Sequence, residues 1–374
     1  MENQDSICFV ARINEIKPIE GADNIELGVI GGWNCIVKKG EYKVNDLVAV
    51  ATTDAVIPQG LSDAMNVTNY LRKGQRVRTV KLRGVYSECL VIPNQFLPVG
   101  YPIPEGTDLM ETLNIFKYEP PARQVQLSSG RKIKYKDNPN FGIYYKFPNL
   151  KNVNGMFNEN DVVEITRKLH GTNARYGIVK KSKLSIWDKV KRFFGNEWVE
   201  YEYVYGSHNV EKGSDSQGFY GTDVWKTIAD KYEIKEKLWD LFKRYKDYYK
   251  IKEGIVIYGE IYGAGIQKNY DYGLKDIQYA GFDVTINGEY CNAIRSFDIQ
   301  SAALELPYVP TLGFCNWNQE VQDSFVFNNF IEGTKVPHEG IVIKALDGNR
   351  HKVAKVINPD YLIYGEKHNV GDSH

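Results

Sequence analysis

The sequence lacks the marks of a secreted or membrane protein. Its five cysteines (Cys8, Cys35, Cys89, Cys291 and Cys315) are odd in number, widely scattered and free of any C-x-x-C pair. They read as small buried hydrophobes in a reducing cytosol, not as a disulfide framework or a zinc site. No apolar run approaches the ~20 residues that cross a bilayer. The N-terminal MENQDSICFVARINEI is polar and acidic where a signal peptide is basic and then apolar. A cytoplasmic protein with no membrane partner is therefore expected. Net charge is missing too, because 47 Lys and Arg balance 47 Asp and Glu, and the total carries no information about a partner. There is no repeat at roughly 20 to 50 residues. With 43% hydrophobic and 25% charged residues the composition is near the soluble average, which excludes disorder, collagen and coiled coil.

What is present is a length of 374 residues, enough for two domains at ~150 residues each, and charge that is unevenly placed. From Arg167 to Arg192 nine basic residues face a single acid, Asp188. A second basic window runs from Lys117 to Lys151. Local excesses of this kind can track a polyanion while acids elsewhere cancel the sum.

The first hundred residues read as short strands: Ile7 to Ile13, Ile25 to Val29, Trp33 to Val37, Leu47 to Val50, Val77 to Leu82 and Glu88 to Ile92. Five or six strands without a long helix suggest a small barrel of the oligonucleotide-binding (OB) type. The Pro- and Gly-rich run from Leu97 to Thr107 marks its exit. If this barrel meets nucleic acid, the face carrying Arg72, Lys73, Arg76, Arg78, Lys81 and Arg83 is the expected one. The expected division is an OB-like domain over 1–110, a linker over 111–140 and a second domain over 141–374. In that second part, apolar spacing predicts a helix from about Asp223 to Tyr249. Strands are expected at Val162 to Thr166, Gly254 to Tyr258, Ile277 to Val284, Gly340 to Ala345 and His351 to Ile357.

The stretch that carries chemistry is Lys168-Leu169-His170-Gly171-Thr172-Asn173, directly after the apolar strand Val162-Val163-Glu164-Ile165. A lysine at the end of a buried strand sits where desolvation and neighbouring cations can lower its pKa. A neutral amine is a nucleophile and an ammonium is not. Four further segments follow in order: Ile257-Tyr258-Gly259-Glu260, Ala280-Gly281-Phe282-Asp283, Glu339-Gly340-Ile341-Val342-Ile343-Lys344 and Ala354-Lys355-Val356-Ile357-Asn358-Pro359.

With the Lys168 turn, these resemble motifs I, III, IIIa, IV and V of the covalent nucleotidyltransferase superfamily. K-x-H-G-T-N and E-G-I-V-I-K resemble RNA ligases and not the K-x-D-G pattern of DNA ligases and capping enzymes. The resemblance spans roughly Phe141 to Leu362. With an OB-like domain in front, the chain resembles the ATP-dependent RNA ligases of the Deinococcus type (RNA ligase 5). Only 19 residues follow Lys355, so the OB domain that DNA ligases and capping enzymes carry after motif V is not expected here. The fold class implied is α+β, an N-terminal OB-like β-barrel followed by an ATP-grasp-like nucleotidyltransferase domain of antiparallel sheets and helices.

The resemblance implies ATP as nucleotide, Mg2+ or Mn2+ as cation, and RNA with 3′-OH and 5′-phosphate ends, at a nick in a duplex, as substrate of a monomeric enzyme. Lys168 is then the nucleophile that takes up AMP. Lys355 and Lys344 contact the α-phosphate, Glu339 holds the cation, Glu260 accepts from the ribose hydroxyls and Phe282 stacks on adenine. Asn173 orients phosphate or a metal-bound water, His170 and Arg167 lie at the nucleotide, and Lys146 resembles the basic segment that orients pyrophosphate. Arg175, His208 and Asn209 are the expected nucleic-acid contacts. Two places depart from the family pattern. His208 stands where the family has arginine, and Ile357 stands where motif V has a second lysine. Lys352 falls on the opposite strand face from Lys355 and is a weak substitute. The competing functions are a DNA ligase or capping-type nucleotidyltransferase, and a non-catalytic nucleic-acid-binding protein. The segment Lys180 to Glu200, with Trp187, Phe193, Phe194 and Trp198, is either an amphipathic helix touching RNA or one packing on the OB domain.

Overall fold

The structure, a computed structural model, describes residues 6–72, 75–97, 103–118, 138–153, 155–195, 197–208, 211–212, 223–368 and 370. The chain divides into two compact units, Met1–Gln124 with Pro148–Met156, and Val125–Phe147 with Phe157–His374.

The first unit contains β1 (Cys8–Pro18), β2 (Ile25–Ile30), β3 (Trp33–Lys38), β4 (Leu47–Thr52), β5 (Ala55–Val56), β6 (Val80–Leu82), β7 (Val85–Ser87), β8 (Cys89–Ile92) and β9 (Phe116–Lys117), with the short helix α1 (Gln59–Ala64). Its main sheet is antiparallel in the order β3-β2-β1-β4-β8. The eleven-residue β1 serves two neighbours: Cys8 to Arg12 pair with β4, and Ile13 to Pro18 pair with β2 across a bulge between Ile13 and Glu15. A bulge bends a strand and increases its twist, and the sheet curls until β3 meets β7 and β8. There Glu88 N–H donates to Asn34 O at 2.7 Å and Ile36 N–H donates to Ser87 Oγ at 3.0 Å. The result is the nearly closed barrel expected of an OB fold.

Two later segments complete this unit. Leu109 N–H donates to Cys8 O at 2.8 Å and Tyr118 N–H to Asp54 O at 2.8 Å, so residues 106–118 run along the barrel. Pro148–Met156 returns to it as a strap. Lys151 ion-pairs with the buried Glu88 carboxylate and lies 5.7 Å from the Trp33 ring centroid. Of the linker expected over 111–140, residues 119–137 lie outside the described residues.

The second unit holds two sheets whose paired strands are all antiparallel. Its strands are β10 (Val162–Lys168), β11 (Thr172–Lys180), β12 (Tyr201–Gly206), β13 (Glu211–Lys212), β14 (Gly254–Gly263), β15 (Ile277–Ile286), β16 (Glu289–Tyr290), β17 (Thr311–Asn316), β18 (Gly340–Ala345) and β19 (Val353–Ile357). One sheet has the order β17-β10-β18-β19 and the other β13-β12-β11-β14-β15-β16. The helices are α2 (Ile186–Phe193), α3 (Val224–Lys231), α4 (Ile234–Tyr245), α5 (Ala293–Phe297), α6 (Gln319–Val326) and α7 (Pro359–His368). The core lies where Ile228, Leu238, Leu241 and Phe242 of α3 and α4 pack on Tyr176, Ile178, Ile255 and Ile257 of the larger sheet.

The single helix expected over 223–249 is two helices. The chain breaks at Glu233, which takes a left-handed φ of 52°. No Gly or Pro marks the break, so composition could not announce it. β11, β12 and β17 are also absent from the sequence expectation.

Candidate active site

The Lys168 segment is the crossing between the two sheets. β10 ends at Lys168, and after three intervening residues Thr172 opens β11 in the other sheet. Such a crossing needs a residue without a side chain at its tightest point. A Cβ on Gly171 would run into the Ile261 carbonyl and come within 2.9 Å of Glu260 Cγ. The turn is caged from outside by residues that the motifs did not single out. His170 N–H donates to Tyr272 Oη at 2.5 Å, Gln267 Nε2 donates to Gly171 O, and the His170 ring makes edge contacts with Tyr270 and Tyr361. Tyr272 adopts a left-handed φ of 60°, a strained conformation for a bulky residue, and from it reaches the turn.

Across the smaller sheet Lys168 pairs with Gly340, so Glu339 stands beside the lysine. Lys168 Nζ donates to Glu339 Oε1 at 2.6 Å. Glu339 is buried, and its second oxygen, Oε2, accepts no hydrogen bond. The nearest ring nitrogen, His170 Nδ1, is 4.0 Å from that oxygen. Asn358 fixes the approach to this strand: its N–H donates to Glu339 O at 2.9 Å and its Nδ2 to His338 O at 3.1 Å. In the larger sheet Asn173 pairs with Glu260, and Asn173 Oδ1 is likewise buried without a partner. Burial pushes the Glu260 carboxyl up to about 8. Lys168 opposes that rise, and Glu339 adds to it.

Phe282 occupies a bulge. Tyr258 pairs with Asp283 and Gly259 with Gly281, leaving Phe282 as the extra residue of β15. Its carbonyl, freed from the ladder, accepts from Lys344 Nζ at 2.6 Å and from Tyr308 Oη at 2.9 Å. The half-buried ring lies 4.9 Å from that of Tyr144. Beneath it is a buried ionic network. Asp283, fully buried, takes Lys344 Nζ at 3.2 Å, Arg350 Nη2 at 2.8 Å and Tyr144 Oη at 2.5 Å. Burial alone would raise the Asp283 carboxyl, but the two cations outweigh it and hold it below the usual range.

The expected α-phosphate contacts separate at this point. Thr166, Val342 and Lys355 form one cross-strand row, on the same face as Lys168 by alternation. Lys355 is half-buried there. Lys344, 3% exposed, is spent on Asp283 and Phe282 O. Ile357 pairs with Gly340, which sets an apolar side chain in the row of Lys168. Lys352 ion-pairs with both oxygens of Asp161, at 2.6 and 2.7 Å.

Two expected contacts are turned inward. Arg175, 1% exposed, donates to Ser207 O at 2.8 Å and Phe141 O at 2.6 Å and stacks on the Phe141 ring. These donors tie the Phe141 and Ser207 segments to β11. Arg167 is buried on the opposite strand face from Lys168 and donates to Phe325 O at 3.4 Å. Lys146 is exposed. Burial, with the Lys146 and Arg175 cations, holds the His208 imidazole below its usual range. The neutral His208 imidazole and the two cations, far apart in sequence, therefore share one neighbourhood. Asn209 lies outside the described residues. On the barrel Arg76 pairs with Asp54, Arg78 donates to Tyr70 O and Lys81 donates to Tyr86 Oη. Lys73 lies outside the described residues.

The RNA ligase family model matches residues 161–357, and an OB-fold domain model matches residues 7–94. A Naegleria gruberi RNA ligase mutant with ATP and Mn has a similar structure, with a TM-score of 0.68 at 23% identity over 97% of this chain and 99% of that chain. The Naegleria gruberi RNA ligase with PPi gives 0.67 at 22% identity over the same shares. At such identity the likeness shows a common fold. No curated protein matches the chain. The family match covers more than half of the residues and contains Lys168, Glu260, Phe282, Glu339 and Lys355, and the chain belongs to the RNA ligase family.

Proposed function

We propose that the protein is an ATP-dependent RNA ligase that joins a 3′-OH to a 5′-phosphate, at nicks in duplexes, through a lysyl-AMP intermediate. The observation that carries this is the Lys168 amine, held 2.6 Å from Glu339 at the crossing of two sheets, with Glu260 facing Asn173 across the same turn. In the first step Lys168 Nζ forms a bond to the α-phosphorus of ATP, the bond to the β-phosphate breaks, and pyrophosphate leaves as the amine loses a proton. A 5′-phosphate oxygen then takes the AMP and frees Lys168. Attack of the 3′-OH on that 5′-phosphorus expels AMP and closes the strand.

Phosphoryl transfer needs positioning and charge neutralisation more than covalent help. Lys355 supplies a cation on the Lys168 face. Phe282, aimed by its bulge, stacks on adenine, and Glu260 accepts from the ribose. Lys344 acts through Asp283 and the Phe282 carbonyl and so positions the adenine platform without touching phosphate. Lys146, which is exposed, and His208 are assigned to the leaving phosphates or the RNA backbone. ATP and a divalent cation are consistent with the family. The donors fit a cation: Glu339 Oε2 is a buried carboxylate oxygen with no hydrogen bond, and a hard oxygen ligand suits Mg2+ or Mn2+. Bound there, such an ion supplies charge neutralisation at the phosphates. Among the described residues no group of three or more His, Cys, Asp or Glu could hold a metal unaided, so Glu339 would share the ion with water and phosphate. We take the enzyme to act as a monomer in the cytoplasm.

Incubation with α-labelled ATP or GTP and Mg2+ or Mn2+, followed by a denaturing gel, tests this. Label from ATP alone is expected, and Lys168→Ala should abolish it. Absence of label from either nucleotide in folded protein would overturn the enzyme reading in favour of a binding protein. Nicked duplexes with an RNA or a DNA 3′-OH strand test the substrate, and equal sealing of an all-DNA nick would overturn the RNA assignment.

A further inference from the structure

The insert between β11 and β12 has its amphipathic helix the wrong way round for a protein surface. At 3.6 residues per turn, Ile186, Trp187, Val190, Phe193 and Phe194 of α2 fall within about 120° of one another. This apolar arc faces outward, with Trp187 75% and Phe193 86% exposed. The opposite side is the one tied to the protein. Asp188 pairs with Lys181 at 3.1 Å, and Arg192 pairs with Glu200 at 2.6 Å. The base of the insert is anchored as well, since the Trp198 ring packs edge-on against Phe242 of α4 with centroids 5.9 Å apart. The ion pairs and this anchor hold the aromatic face in solvent, where an exposed apolar patch marks a binding surface.

Charge identifies what covers it. On the helical wheel Lys189 and Lys191 border the arc on either side, and Lys183 precedes the helix. All three are exposed, and none is ion-paired among the described residues. Aromatic rings flanked by lysines match a strand of stacked bases with a phosphate backbone. A second copy meeting the same face about a twofold axis would set these cations against themselves. A helix of two turns offers little area to a lipid surface, where interfacial helices are commonly longer. The nine-residue β11 leads from the Lys168 turn to the insert, and at about 3.3 Å per residue this places α2 on the order of 26 Å from the nucleophile.

We propose that the outward face of α2 binds an unpaired RNA strand, with bases stacked on Trp187, Phe193 and Phe194 and phosphates on Lys183, Lys189 and Lys191. The proposal rests on RNA being the substrate, and it adds a site remote from the sealing chemistry that holds RNA outside the duplex.

The test is binding of a short single-stranded RNA, followed by tryptophan quenching and by anisotropy of labelled RNA. The full-length wild type is compared with a Trp187→Ala, Phe193→Ala, Phe194→Ala variant and with a Lys183→Gln, Lys189→Gln, Lys191→Gln variant. Both variants should bind roughly ten-fold or more weakly, Trp187→Phe should remove the quench, and labelling of Lys168 from ATP should be unchanged in all. Retained affinity in the aromatic variant overturns the proposal. So does quenching by anionic lipid vesicles without quenching by RNA, or a wild-type dimer that the aromatic variant dissolves. Failure of ATP labelling in the wild type would count against the ligase assignment alone, because RNA binding is scored separately.

Discussion

At the scale of single residues, Glu260 carries the sharpest consequence. Its carboxyl is pushed up to about 8 by burial, while an exposed glutamate titrates near 4.3. Between those values the folded protein holds a proton that the unfolded chain has released. Stability from this group therefore falls as pH rises through the window, and the cost is fully in place above about 8. Glu260→Gln removes the titration. Its unfolding free energy should match that of the wild type near pH 4 and exceed it increasingly toward about pH 8, by on the order of 1 kcal/mol or more, read from denaturant melts. A pH-independent difference would show that Glu260 ionises normally. If Glu260 accepts from ribose as proposed, its ionisation supplies that acceptor, so wild-type ATP affinity should strengthen through about pH 8 while that of the variant stays flat. Glu260 was legible in the sequence from its place in the motif order. Its raised pKa was not, because burial and the approach of Glu339 are contributed by strands distant in the chain. Arg175 shows the converse: a cation in a basic window, read as an RNA contact, whose donors go to Ser207 O and Phe141 O.

At the scale of elements, the bulge in β15 does what alternation alone would not. It aims Phe282 out of the ladder and leaves its carbonyl for Lys344 and Tyr308. Phe282→Ala should raise the KM for ATP by roughly 5- to 100-fold, as expected for loss of one stacking contact, with a smaller change in kcat. An equal fall in kcat with KM unchanged would place the ring in the chemical step instead. In the first unit the strap lies directly on β3's approach. A Cβ on Gly32 would stand 2.7 Å from Lys151 Cα and 2.8 Å from Lys151 O. Gly32→Ala should therefore destabilise by about 1–3 kcal/mol, read as a lower melting temperature, and an unchanged melt would show that the strap yields freely. The barrel strands themselves were readable from short β-branched runs and turn residues. The strap was not, since its backbone has no periodicity and its place is set by the Lys151–Glu88 pair.

At the scale of the whole molecule, zero net charge conceals a division of labour. Under the proposed function carboxylates serve the nucleotide site, while basic residues collect in the windows around Lys168 and along the insert. Sealing of RNA should fall steeply with salt, about 0.9 logarithmic units per decade for each duplex phosphate contact, while labelling of Lys168 from ATP should change little. Parallel decline of both would show that salt acts on the nucleotide site and not on RNA engagement. Four of the 26 tyrosines, unexplained by composition, acquire places at the site: Tyr270, Tyr272 and Tyr361 cage the Lys168 turn, and Tyr144 caps Asp283 beside Phe282. The amino-acid order by itself determined the family and most strands, because the lysine turn, its glycine and alternating apolar runs are local patterns. Only the tertiary structure decided that Lys168 meets Glu339 from 171 residues away, that Lys344 and Arg175 turn inward, and that α2 turns its aromatic face out. Those outcomes depend on which strands pair and which faces are buried, and long-range pairing and burial leave no local trace in a sequence.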